Sequence, residues 1–266
     1  MSELETPLAG GNVNTVVRVG DTVRREAGPH TPAVHALLRH LRAAGFDGVP
    51  EPLGYDDLGR EVLSYVEGEV GGYPLPPSWR TDAALAGFAR FLRAFHDAQA
   101  GFVPPPDAAW TWYGEGVPAG AVVCHQDAAP YNTVRRPDGG YALIDFDLAS
   151  PADPLMDVAF AAWKWVPLES HAAALGFPPP VDRGRRLRIL ADAYGLDAGQ
   201  RTRLLDQIEY RMTSMITGIE RLAAEGHPAF VRLLAEGHTE YPRRDLELLA
   251  THRAEWQETV TRPLVR

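Results

Sequence analysis

The chain of 266 residues holds one cysteine, Cys124, and one lysine, Lys164. A single thiol cannot close an internal disulfide, so a reducing cytoplasm is the expected setting. The apolar neighbours of Cys124 favour a buried strand residue over a nucleophile. Basic residues are also in deficit: 26 Lys and Arg against 35 Asp and Glu leave a net charge of -9. That balance argues against a nucleic-acid partner, which needs a basic face. No apolar run is long enough to span a membrane. The opening Met1-Ser2-Glu3-Leu4-Glu5 is acidic and has no apolar signal core, so export is not expected. There is no internal repeat and no low-complexity tail. What remains is a soluble globular composition, 45% hydrophobic and 23% charged, long enough for one large domain or two lobes.

The informative stretch is Cys124-His125-Gln126-Asp127-Ala128-Ala129-Pro130-Tyr131-Asn132, followed by Leu143-Ile144-Asp145-Phe146-Asp147. Asp127 can receive or orient a hydroxyl proton. Asn132 and Asp145 offer hard oxygen donors, the kind magnesium prefers, one or two carboxylates at a time with phosphates and water completing its shell. Val122 and Val123 read as a strand leading into the loop, and Pro130 holds the loop out of a helix. Tyr141 to Ile144 reads as a second strand. The turn residues Arg135 to Gly140 between these two runs predict that they form one hairpin, whose open end brings Asn132 and Asp145 together.

With these motifs the chain resembles the aminoglycoside phosphotransferase and choline-kinase-like family, small-molecule kinases related in fold to protein kinases. The likeness covers most of the chain and is sharpest from Val122 to Trp165. It implies an α+β, two-lobed protein-kinase-like fold. An N-lobe of 1–66, a small antiparallel sheet with one helix, would precede a mainly helical C-lobe of 67–266. It also implies ATP or GTP with Mg2+ as cofactors, Asp127 as the catalytic-loop aspartate, and Asn132 and Asp145 as metal ligands. Asp157, in Pro154-Leu155-Met156-Asp157, corresponds to an aspartate that braces the catalytic loop by accepting its backbone hydrogen bonds near His125. Some compact bacterial members that the N-terminal part resembles are trifolitoxin-immunity-like, which supplies a rival expectation: a kinase-like binding protein that sequesters a peptide or an antibiotic.

The chain departs from the family at the strand lysine that holds nucleotide phosphates. Lys164 lies far downstream, so either catalysis is lost or an arginine takes the role, since a guanidinium can chelate phosphate. Arg24, alternating with Val23, is the first choice, with Arg18 and Arg25 as competitors. The helix glutamate that pairs with the lysine is also missing. Val34 or His35 stands in its place, and Glu26 is a candidate substitute. Asn14 and Thr15, in the turn after Gly10-Gly11, are candidate phosphate-contacting amides or a plain β-turn. Ser64, Tyr65 and Val66 lead into Gly68 and correspond to the hinge that offers backbone groups to adenine.

Helices are expected from Thr31 (as cap) to Gly45, from an Asp82 cap through Phe95, over the Leu204–Leu222 stripe, and over 243–259. His96 reads as a structural histidine. Trp110, Trp112 and Tyr113 would cover the core or line an acceptor pocket. The expected activity is ATP-dependent phosphotransfer to the hydroxyl of a small molecule, such as an aminoglycoside-like antibiotic or a metabolite, with a cationic acceptor compatible with the acidic chain.

Overall fold

The computed structural model describes residues 4–8, 16–111 and 120–262. Asn14, Thr15, Trp112 and Tyr113 lie outside the described residues. The first lobe is a five-stranded antiparallel sheet in the order β1-β2-β3-β5-β4. Its strands are β1 (Thr6–Pro7), β2 (Val17–Val19), β3 (Thr22–Arg25), β4 (Pro52–Tyr55) and β5 (Glu61–Ser64). Gly20, at φ +58°, makes the tight turn from β2 to β3. Helix α1 (Thr31–Ala43) joins β3 to β4 and buries Val34, Leu37, Leu38 and Leu41. Thr31 is its first residue rather than its cap. The cap is His30, and the Thr31 hydroxyl instead accepts from the Gly28 N–H.

After Ser64 the chain leaves this sheet. Strand β6 (Glu69–Val70) pairs with β8 (Thr133–Arg135), which pairs with β9 (Tyr141–Leu143). Strand β7 (Val122–Cys124) pairs instead with β10 (Ser150–Ala152). The expected hairpin between Val122-Val123 and Tyr141-Ile144 is therefore corrected. The turn at 136–140 closes β8 on β9, because both flanking runs abut it directly. The open end of this hairpin still joins the two motifs, with the Ile144 N–H donating to the Asn132 carbonyl at 3.0 Å.

The second lobe is helical: α2 (Asp82–Asp97), α3 (Leu155–Trp165), α4 (Arg183–Tyr194), α5 (Ala198–Ala224), α6 (Pro228–Ala235) and α7 (Glu240–Thr261). Thr81, not Asp82, caps α2 by accepting from the Ala84 N–H, since Asp82 already lies inside the first turn. Asp197 and Gln200 form a reciprocal capping box on α5. The apolar stripe of α2 (Leu85, Phe88, Leu92, Phe95) is fully buried. Phe88 stacks on Trp165 of α3 at 4.1 Å between ring centroids. This core fixes α3 against the β7–β10 ribbon, and the loops of the candidate site hang from that frame. None of the described helices is long and apolar enough to cross a membrane.

Candidate active site

The 125–132 loop is built around a buried carboxylate. Asp157, at 0% exposure in the first turn of α3, accepts the backbone N–H of His125 at 2.7 Å and that of Gln126 at 2.7 Å. His96 of α2 donates Nε2–H to it at 3.1 Å, and the Tyr194 hydroxyl donates to the other ring nitrogen at 2.7 Å. Burial pushes the Asp157 carboxyl upward, but the His96 bond and the loop N–H groups outweigh it and hold the pKa below the ordinary range. Cys124 lies beside His96 and Asp157. These two are already fully engaged with each other and with the loop, and burial pushes the Cys124 thiol well up, so the cluster acts as a brace. Gln126 is held at φ +67°, a conformation uncommon for a non-glycine residue, and Arg211 of α5 donates to its carbonyl at 2.8 Å.

This tight bend delivers Asp127. One of its oxygens accepts from the Tyr131 hydroxyl at 2.7 Å, the other from Asn132 Nδ2 at 2.8 Å. Burial raises the Asp127 pKa, against the lowering effect of the Tyr131 bond. His125 donates Nε2–H to the Ile144 carbonyl at 2.9 Å and accepts the Asp127 N–H on Nδ1 at 3.3 Å. It thereby ties the Asp127 loop to the Asp145 segment and is itself completely buried. Asp145 follows at φ +66°, with its side chain 45% exposed.

Across the cleft, the structure corrects the choice of arginine. Side chains on a strand alternate between faces, so a shift of one position reverses direction. Val23 and Arg25 both line the cleft. Arg24 points to the other face, where Nη1 lies 3.9 Å from Asp56. Arg18 stacks over the Tyr65 ring at 3.7 Å. Arg25 donates Nε–H to Glu61 at 2.6 Å, Nη1–H to Asp145 at 2.8 Å and Nη2–H to Asp147. His30 also contacts Asp147, at 3.2 Å. Burial pulls the Arg25 pKa down, but its three carboxylates outweigh burial and hold it above the ordinary value. The carboxylate paired with this cation is Glu61 on β5. Glu26, the expected substitute, is exposed. His35 completes the pair from α1.

Glu61, Asp147 and Tyr131 were not singled out from the sequence. The available signal was alternation: Glu61 shares a face with the buried Leu63, and a carboxylate there requires a partner.

The cleft between the lobes encloses about 420 Å³. Val23 and Leu63 form one wall, Val134 and Ile144 the other, and Ser64-Tyr65-Val66 the edge. The Ser64 and Tyr65 N–H groups are spent on the Glu51 and Asp21 carbonyls at 2.9 and 2.8 Å. Among the described residues no hydrogen bond engages the Val66 N–H or C=O at this edge. At the inner end, one guanidinium faces three carboxylates, a formal charge of minus two that suits a divalent cation. The Asn132 NH2 group is committed to Asp127, which leaves its carbonyl oxygen directed away from Asp127. Asn132 and Asp145 therefore present hard oxygens at the same end of the cleft.

Comparison with known proteins gives the chain its relatives. The chain is 37% identical over 210 residues to a trifolitoxin immunity protein of Rhizobium leguminosarum bv. trifolii, an alignment covering 77% of this chain and 79% of that protein. A choline/ethanolamine kinase family protein from Mesorhizobium loti superposes with a TM-score of 0.64 at 19% identity, covering 98% of this chain and 94% of the other. An amicoumacin kinase in complex with AMP-PNP and Ca2+ gives 0.67 at 13% identity, over 92% and 89%. A spectinomycin phosphotransferase in complex with ADP gives 0.58 at 11% identity, over 96% and 93%. The kinase-like fold is thus shared, and the model of the phosphotransferase enzyme family matches residues 5–110 and 106–205: the chain belongs to that family.

Proposed function

We propose that the protein transfers the γ-phosphoryl group of ATP, or of GTP, to a hydroxyl of a small molecule. The observation that carries this reading is Asn132 and Asp145 on the lining of an apolar cleft, with Asp127 hydrogen-bonded to Asn132 and Ser64-Tyr65-Val66 at the cleft's other edge. The purine would lie between Val23 and Ile144, with its phosphates toward Arg25. Asn132 and Asp145 would hold magnesium, which when bound neutralises phosphate charge. Asp127 orients the acceptor hydroxyl and takes its proton as the oxygen bonds to the γ-phosphorus, while the bond from that phosphorus to the β–γ bridging oxygen breaks and ADP or GDP leaves. A strong base is not required, because the transition state is largely dissociative and positioning and fixed charge dominate. The structural relatives that act on amicoumacin and spectinomycin support an antibiotic-like acceptor, and a choline/ethanolamine relative supports an amino alcohol.

A second reading is favoured by one observation, the 37% identity to an immunity protein. In it the same fold protects by sequestering a peptide or antibiotic, with little or no transfer. A thermal-shift screen of ATP and GTP with and without magnesium, followed by mass spectrometry of a hydroxylated compound panel, separates the two. Magnesium-dependent stabilisation and a product heavier by one phosphate establish transfer. No nucleotide effect, together with tight binding of an unmodified peptide or antibiotic, establishes sequestration.

A further inference from the structure

Arg25 is attached to a second layer of buried side chains. The register of the first sheet pairs Arg25 with Glu61 and Glu61 with Tyr55, so the three form one row across β3, β5 and β4. His35, just past the first turn of α1, closes over this row. Its ring lies 5.4 Å from that of Tyr55, and its Nε2 is 2.9 Å from Glu61 Oε1. A carboxylate only accepts, so Nε2 carries the hydrogen and donates it. The remaining oxygen of Glu61 accepts Arg25 Nε–H at 2.6 Å. His35 and Glu61 are each 1% exposed.

A buried ion pair returns little net stability after desolvation, so stability alone is a weak reason for a polar triad at this depth. Its effect on orientation is definite. A guanidinium has separate hydrogen-bonding edges in a rigid plane. Glu61 occupies the Nε edge, which directs Nη1 and Nη2 to Asp145 and Asp147 at the inner end of the cleft. An ammonium group has no second edge to be fixed in this way. An arginine oriented in advance also loses less side-chain freedom when a ligand arrives.

We propose that His35 is a positioning residue for nucleotide binding. It fixes Glu61, Glu61 fixes the Nε edge of Arg25, and the second N–H of each Nη, beyond the one given to Asp145 or Asp147, is thereby presented to nucleotide phosphates. The role stands on the phosphotransferase reading of the cleft. The helix imidazole and the strand carboxylate together do what one helix carboxylate does beside a lysine.

The test is calorimetric affinity of the full chain for magnesium with AMP-PNP or GMP-PNP, alongside melting temperatures without ligand. His35→Leu removes the donor. His35→Asn keeps a polar group but is too short to reach Glu61. His35→Gln restores an N–H at about the same reach. The relay predicts that His35→Leu and His35→Asn weaken the nucleotide by about tenfold, the effect of one charge-assisted hydrogen bond, while His35→Gln stays within about threefold of wild type. If His35→Leu does not fold, the Asn and Gln pair carries the comparison. The relay also predicts non-additivity: the double variant Arg25→Gln/His35→Asn binds no more weakly than Arg25→Gln alone. With an active acceptor, the loss appears in KM for the nucleotide rather than in kcat. Wild-type affinity in His35→Asn, or additive losses in the double variant, overturns the relay while leaving the phosphotransferase reading intact. Wild-type protein that binds neither analogue overturns both.

Discussion

Replacing Asp157 by asparagine tests the construction of the site at its foundation. The carboxylate accepts two backbone N–H groups, each at 2.7 Å, and the His96 Nε2–H, with no exposure to solvent. Asparagine is almost the same size, so no cavity forms, but it has one acceptor oxygen and an NH2 group that confronts a donor. One charge-assisted bond is lost, about 1.5–3 kcal/mol, and a buried N–H is left unsatisfied at a further ~1–3 kcal/mol. Partial relaxation of the loop reduces that sum, and about 3–4 kcal/mol is expected, close to the cost of breaking other buried charged networks. For a chain of this length that lowers Tm by roughly 6–16 °C, measured by calorimetry near pH 7. The left-handed Gln126 is then free to relax, Asp127 moves, and turnover should fall by about a hundredfold, as it does for small misplacements of reacting groups. The pH dependence has a definite sign. The folded-state pKa of Asp157 is depressed, so its stabilisation is present above the unfolded value, about pH 3.9, and is lost as pH falls through the folded value. The gap between wild type and variant should therefore narrow toward low pH. A Tm within about 2 °C of wild type with unchanged turnover would refute the bracing role.

Further outcomes follow from the same contacts. Asp127→Ala should keep the fold and nucleotide affinity and lose at least about a hundredfold in turnover; equal activity rejects the assignment of Asp127. Asp145→Asn should weaken nucleotide affinity by about tenfold when magnesium is present and much less when it is absent, read by paired titrations; identical losses in both series count against a metal site there. Tyr131→Phe removes a hydrogen bond that lowers the already raised Asp127 pKa, so the acid limb of kcat/KM should move to higher pH by roughly half a unit to one unit. An unmoved or lowered limb would show that Asp127 does not govern that limb.

Much of the site was legible because its residues are local in sequence. The His125–Asp127–Asn132 loop and the apolar strand ending in Asp145 each span fewer residues than one element, and turn chemistry at 136–140 links them. Local patterns of this kind survive in a bare string of letters, as does the helical apolar stripe of α5. The errors arose where the answer depended on a partner distant in the chain. Arg24 and Arg25 are neighbours on one strand, and only the pairing of β3 with β5 and the side on which the cleft lies decide which enters it. Glu61 gives no local sign of being the counter-ion, since its partners Arg25 and His35 are 36 and 26 positions away.

The sequence by itself determined the chemistry available: carboxylates, an amide and a single loop geometry, in an acidic chain with one cysteine and almost no lysine. Tertiary structure alone decided which cation faces them, which carboxylate holds that cation and which peptide stands at the cleft edge. The reason is physical. Loop motifs are set by short-range backbone preferences, whereas the direction of a strand side chain and the choice of a buried counter-ion are set by sheet register and burial, and these exist only once distant segments have packed.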